Sequence, residues 1–247
     1  MFFQYGWIDT HCHLAEPRIS KNLDNEISEA KNKSITGFIS SALSADEFDW
    51  HLKKQDISEM KWCAGIHPIY DKSQPDDFDA IVELAKNKQI AAIGEIGLDK
   101  RKPNYQEQKK NLLKQLELAR SYNLPVIFHI VKYYYQLYKI IKDYFPSING
   151  IIHSFNSSLD VAKTLSGLNI IFSLGSHLPK LKVLDYLIKN QPYCFETDAP
   201  YQKNYQSKEQ YNHLKNLIYP IDYVSKKVDI DKSVLQKKQY QTLKNIL

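Results

Sequence analysis

The chain has 247 residues, 43% apolar and 25% charged, which suits a soluble globular domain with a sizeable core. No apolar run approaches the roughly 18 to 20 residues of a membrane span, and the start, Met1-Phe2-Phe3, shows no secretory pattern. The formal charge of +5 comes wholly from residues 201–247, where nine Lys face four acids, so either an anionic partner or a Lys-rich solvated surface is expected there.

Short apolar runs suited to buried parallel strands fall at residues 6–9, 35–40, 61–66, 90–95, 125–129, 150–153, 169–174 and 192–196. Stretches of helical character separate them, at about 20–32, 46–59, 76–88, 105–122, 132–145, 158–166 and 179–190. Leu112, Leu116 and Ala119 mark one helical stripe, and Leu181, Leu184, Leu187 and Ile188 another. Residues 206–247 read as helical throughout, with a break near Pro220. This alternation predicts a (β/α)8 TIM barrel forming a single domain over residues 1–247. Cys12, Cys63 and Cys194 show no pairing pattern, which predicts packed free thiols and a cytoplasmic protein.

Potential ligands recur just after the apolar runs. His11 and His13 follow strand 1, two positions apart, so both point to one side while Cys12 points away. Glu95, His129 and His153 close strands 4, 5 and 6, and Asp198 follows strand 8. Barrel enzymes build their sites at these C-terminal ends. A set of four His, one Glu and one Asp suits Zn, Mn or Mg, and six ligands suit two divalent ions sharing a carboxylate. His67, after strand 3, is divided evenly between substrate contact and loop structure; His177 leans structural, and His51 and His213 are expected on the surface. Asp9 is placed to orient the His11 imidazole.

The segments Ile8-Asp9-Thr10-His11-Cys12-His13-Leu14, Gly65-Ile66-His67-Pro68, Ile93-Gly94-Glu95-Ile96-Gly97-Leu98-Asp99, Pro125-Val126-Ile127-Phe128-His129, Ile152-His153-Ser154-Phe155 and Glu196-Thr197-Asp198-Ala199-Pro200-Tyr201 resemble, in order, the motifs of the TatD family of metal-dependent deoxyribonucleases. That resemblance implies that His11, His13 and Asp198 bind a first metal, that His129 and His153 complete a second, and that Glu95 bridges them. It further implies that Asp198 takes a proton from the attacking water, and that the substrate is DNA degraded from a 3′ end. Neither a membrane nor an obligate protein partner is expected.

The loops depart from the family pattern. Asn156-Ser157-Ser158 stands where Ser-Gly is usual, Val131 and Lys132 follow His129 where a basic residue is common two positions on, and Tyr201-Gln202-Lys203-Asn204-Tyr205 replaces the usual continuation. Lys132 and Lys203 are candidate phosphate contacts, and Tyr201 and Tyr205 are candidate base-stacking or plain surface residues. Three readings therefore stand: a two-metal 3′-5′ deoxyribonuclease, a related hydrolase of an ester, amide or aminoacyl bond, and a metal-retaining nucleic-acid-binding protein with weak turnover.

Overall fold

Eight parallel strands close into one barrel in chain order: β1 (Trp7–Cys12), β2 (Ile35–Ala42), β3 (Met60–Ala64), β4 (Ala92–Asp99), β5 (Val126–Val131), β6 (Gly150–Ile152), β7 (Ile170–Leu174) and β8 (Tyr193–Phe195), which pairs back onto β1. The computed structural model describes residues 3–74, 76–203 and 208–247. Around the barrel lie α1 (Pro17–Ser20), α2 (Leu23–Lys31), α3 (Ala45–Lys53), α4 (Asp77–Lys86), α5 (Tyr105–Tyr122), α6 (Tyr134–Tyr144), α7 (Leu159–Leu165), α8 (Leu181–Asn190), α9 (Ile218–Val228) and α10 (Lys232–Lys244). The predicted (β/α)8 barrel is the observed fold. Among the described residues, no helix is long and apolar enough to cross a membrane.

One side chain from each strand meets inside: Ile8, Ile39, Cys63, Ala92, Ile127, Ile151, Ile171 and Cys194. Branched and small groups fill an eight-stranded interior without leaving a channel. Outward-facing residues such as Phe38, Ile93, Phe128 and Phe172 share a second apolar cluster with Leu112 and Leu116 of α5 and Leu184 and Leu187 of α8. Burial on both faces explains why the strands read as continuous apolar runs.

Irregularities in β4 and β1 bear directly on the site. In β4, Ile93 and Ile96 both pack outward, three positions apart instead of two, and the register against β5 shifts between Gly94 and Ile96. The extra residue turns Glu95 into the interior. In β1, Ile8 and Thr10 face inward, Thr10 lying 3.0 Å from Ser173 Oγ, whereas Cys12 packs outward. The register shift between Asp9 and Cys12 lets His11 follow Thr10 inward.

Several expectations need correction. β4 continues to Asp99, so Glu95 lies within the strand and does not close it. Residues 208–213 are not helical, and a 3-10 turn, Leu214–Leu217, leads into α9. Pro220 is the third residue of α9 and does not break it, because a first-turn N–H has no intrahelical partner to lose. The break falls at Asp229, in left-handed backbone with φ 56°, and Asp231 then caps α10 by accepting from Ser233 N. His51 is fully buried: its two ring nitrogens lie 2.7 Å from Glu47 O and 2.7 Å from Ser40 Oγ, and the ring stacks on Trp62. His213 precedes the 3-10 turn and pairs with buried Glu26 at 2.6 Å. His213 reaches Glu26 on α2, and His51 reaches Ser40 on β2 and Trp62 on β3, contacts that helical spacing cannot reveal.

Candidate metal centre

All six predicted ligands meet at the C-terminal mouth of the barrel. Glu95 divides its carboxylate between two sets of histidines. Its Oε1 lies 3.4 Å from His11 Nε2 and 3.6 Å from His13 Nε2. Its Oε2 lies 3.0 Å from His153 Nε2, 3.4 Å from His129 Nδ1 and 3.8 Å from His67 Nε2. Asp198 Oδ1 completes the first side, 3.2 Å from His13 Nε2 and 3.5 Å from His11 Nε2. Hydrogen bonds from Asp198 N to His11 O (2.8 Å) and from His13 N to Ala199 O (2.7 Å) join the loop after β8 to β1 and set Asp198 over the two histidines.

These residues fit cations. Donor atoms sharing a cation at about 2.1 Å stand roughly 3.0–3.4 Å apart, close to the separations within each set. His11 Nε2 is buried without a hydrogen-bond partner and faces Glu95 Oε1 and Asp198 Oδ1. An orphaned buried acceptor among carboxylates is what a ligand position looks like before its ion. His11, His13 and Asp198 form one group able to hold a metal; His11, Glu95 and His153 form a second, and His67, Glu95 and His129 a third.

The supporting residues include several that the sequence did not single out. Asp99 Oδ2 lies 2.8 Å from His129 Nε2, so that ring gives its N–H to Asp99 and turns the Nδ1 lone pair toward Glu95. Arg101 grips both Asp99 oxygens, its Nε 3.0 Å from Oδ1 and 2.9 Å from Oδ2. Burial would raise the Asp99 carboxyl, but its His129 and Arg101 hydrogen bonds outweigh that and hold it below the usual carboxylate range. Gln108 of α5 secures the same residue by accepting from Asp99 N (2.7 Å) and donating to Asp99 O (3.0 Å). Ser41 Oγ lies 3.2 Å from His11 Nδ1, in the place expected of Asp9. Asp9 instead accepts from His11 N, Thr197 N and Thr197 Oγ1, so it orients backbone and not the imidazole. Burial pushes its carboxyl up to about 8 against those three donors. Asp99 stands inside a quoted motif, and that is its only signal in the sequence.

Burial also lowers His67 to about 3, so this ring is neutral. Ile69 N donates to its Nδ1 at 3.1 Å, which leaves the proton on Nε2, facing the centre. His67 therefore presents a donor, and we discount it as a ligand despite its place in the third group. For Glu95, burial opposes ionisation, yet the neighbouring His11 and His153 hold it well below the usual range.

A cavity of about 590 Å³ opens beside His129 and His153, lined by Arg101, Lys132, Tyr134, Tyr135, Asn156 and Gln202 among others. A larger one, about 900 Å³, lies at the opposite end of the barrel and has no His, Asp or Glu in its lining. Chemistry, not volume, assigns the site to the first. Tyr201 stands edge-on to His13, ring centroids 5.1 Å apart. Lys203 Nζ donates to Glu209 O, and Tyr205 lies outside the described residues. The basic tail is not gathered here. Lys215 pairs with Glu29 and Glu209, and α10 sits under the barrel, where Gln239 donates to Ile8 O and Leu243 joins the interior layer.

A family model described as TatD related DNase matches residues 8–247. The chain is 26% identical over 231 residues to a protein named uncharacterized metal-dependent hydrolase MJ1582 of Methanocaldococcus jannaschii, with 89% of this chain and 88% of the relative covered. It is 26% identical over 219 residues to the protein named deoxyribonuclease TATDN3 of Homo sapiens, covering 79% of this chain and 78% of the relative. Among solved structures, the TatD homolog YjjV from Escherichia coli K12 matches with a TM-score of 0.88 at 22% identity, over 98% of this chain and 97% of that one. At that identity the structural likeness speaks for the fold alone.

Proposed function

The chain belongs to the TatD family of metal-dependent hydrolases, and from that premise we propose that it is a deoxyribonuclease that uses two divalent cations, Mg, Mn or Zn, to shorten DNA from its 3′ end. The observation that carries this reading is the division of Glu95, one oxygen toward His11 and His13 and the other toward His129 and His153. In this assignment His11, His13 and Asp198 would hold one cation and His129 and His153 the other, with the Glu95 carboxylate shared between the two sets. Bound there, the pair supplies Lewis-acid charge and makes water a nucleophile near neutral pH.

The chain's own groups do the rest. Asp198, beside His11 and His13, accepts the water proton on its carboxylate. His67 donates from Nε2 to an oxygen of the phosphodiester as charge builds on it. Asp99 and Ser41 hold the rings of His129 and His11. Lys132 and Arg101 line the adjoining cavity, where a strand's phosphates would lie, and Tyr201, edge-on to His13, and Lys203 are further candidate strand contacts. A cytoplasmic location belongs to the same reading, supported by three buried, unpaired thiols.

The test is incubation with single-stranded DNA labelled at its 5′ end, in Mg, Mn or Zn. Stepwise shortening is the expected result. Intact DNA alongside cleavage of an ester or amide substrate would overturn the nuclease reading and leave the hydrolase; bound DNA with no product would leave only a binding protein.

A further inference from the structure

Gln202 bridges the loops that follow β6, β7 and β8. Its Nε2 donates to Asp198 Oδ2 at 2.6 Å, and its Oε1 accepts from Ser154 Oγ at 2.7 Å and lies 2.9 Å from His177 Nδ1. We propose that Gln202 is a positioning residue that fixes the Asp198 carboxylate for cation binding, with Ser154 and His177 setting the direction of its amide; this rests on the metal-centre reading above.

The amide has one sensible orientation. A carboxylate only accepts, so the NH₂ group must face Asp198, and the carbonyl must then receive hydrogens from Ser154 and from His177 Nδ1. Reversed, the amide would set oxygen against oxygen at Asp198. With Oδ2 engaged, the carboxylate cannot turn freely, and Oδ1 stays directed at His11 and His13.

The backbone gives a second, independent sign. Ser154 (φ 49°), Asp198 (φ 56°) and Gln202 (φ 44°) all adopt left-handed backbone without being glycine. Such conformations persist where the surroundings hold them, and they concentrate at functional sites. Here the amide joins all three residues. Two main-chain donors assist it, Ser154 N to the Glu196 side chain at Oε1 (2.6 Å) and Asp198 N to His11 O (2.8 Å). Gln202 lies in a loop that departs from the family pattern, and a glutamine four residues past Asp198 has no chemistry of its own until the fold closes.

The experiment uses the full chain and Mn²⁺ as probe. Titration calorimetry gives the dissociation constant, and turnover of single-stranded DNA gives kcat and KM, for wild type, Gln202→Leu, His177→Phe and the double variant. Gln202→Leu should weaken Mn²⁺ binding about 10-fold and lower kcat with KM within about two-fold. His177→Phe should shift both in the same direction by less. The double variant should be no worse than Gln202→Leu alone, because His177 acts through the amide. A Gln202→Leu protein that binds Mn²⁺ and turns over as wild type overturns the proposal, as does full additivity of the two substitutions. If Gln202→Leu does not fold, Ser154→Ala carries the same test, with weakened Mn²⁺ binding expected and unchanged binding overturning it. A wild-type protein that binds no Mn²⁺ overturns the metal centre itself, a result distinct from equal binding by wild type and variant.

Discussion

A β-carbon placed on Gly97 would stand 1.9 Å from the carbonyl oxygen of His129. β4 and β5 thus approach so closely, just past Glu95 and at His129 itself, that only a hydrogen fits between them. Gly97→Ala should push the strands apart, with a loss of stability of about 3 kcal/mol or more and of most activity. Gly167, with nothing within 4 Å of an added β-carbon, is the control, and Gly167→Ala should change stability by less than about 1 kcal/mol. Chemical denaturation of the two variants checks this, and a Gly97→Ala protein as stable as the control would refute the close-approach argument.

Asp99 and His129 form the next test. Asp99→Asn keeps the shape but removes the charge that holds the ring's N–H, so cation affinity should fall about 10- to 100-fold while the fold survives. Competition with a chelating dye measures it. Wild-type affinity in the variant would show that Arg101 and the barrel alone orient His129.

Glu95→Ala and His67→Phe should fail in different ways. Removing Glu95 takes away the oxygen shared by both sides of the centre, so turnover and the second equivalent of cation should both disappear from a protein with normal circular dichroism. Removing His67 deletes a donor, so kcat should fall about 10²-fold with the cation content unchanged. Elemental analysis decides the matter: metal lost from His67→Phe would return His67 to the ligands.

His51 carries a pH prediction for stability. Burial lowers its folded pKa to about 4 from 6.5, and the ring stays neutral between Ser40 and Glu47. Above pH 6.5 it is neutral in both states, and its contribution is fully present. As pH falls from 6.5 toward 4, the unfolded chain takes a proton that the folded chain refuses, and up to about 3 kcal/mol of stability is lost. His51→Gln should be less stable at pH 7.5 but show a flatter decline over that range. Since His67 shifts in the same direction, the comparison must be between variant and wild type; parallel curves would rule out the assignment to His51.

Periodicity and residue type carried the barrel and pointed to the six candidate ligands, which the fold brings together at its mouth. Eight apolar runs alternating with helical stripes have one economical closure, and a histidine or acid placed just past such a run lands at the mouth because strand direction is shared by all eight. What the residues could not disclose is which way two of the strands face. Strict alternation would place Glu95 and His11 opposite to Gly94 and Thr10, on the outer side; a one-residue irregularity in β4 and another in β1 bring them in. Those shifts, like the contacts of Asp99 with His129 and of Gln202 with Ser154 and His177, are settled by the pairing of separate strands and loops, as Asp9 and Thr197 meet across 188 residues. Local pattern determines which side chains exist at a strand's end, and only the closed ring decides what each one meets.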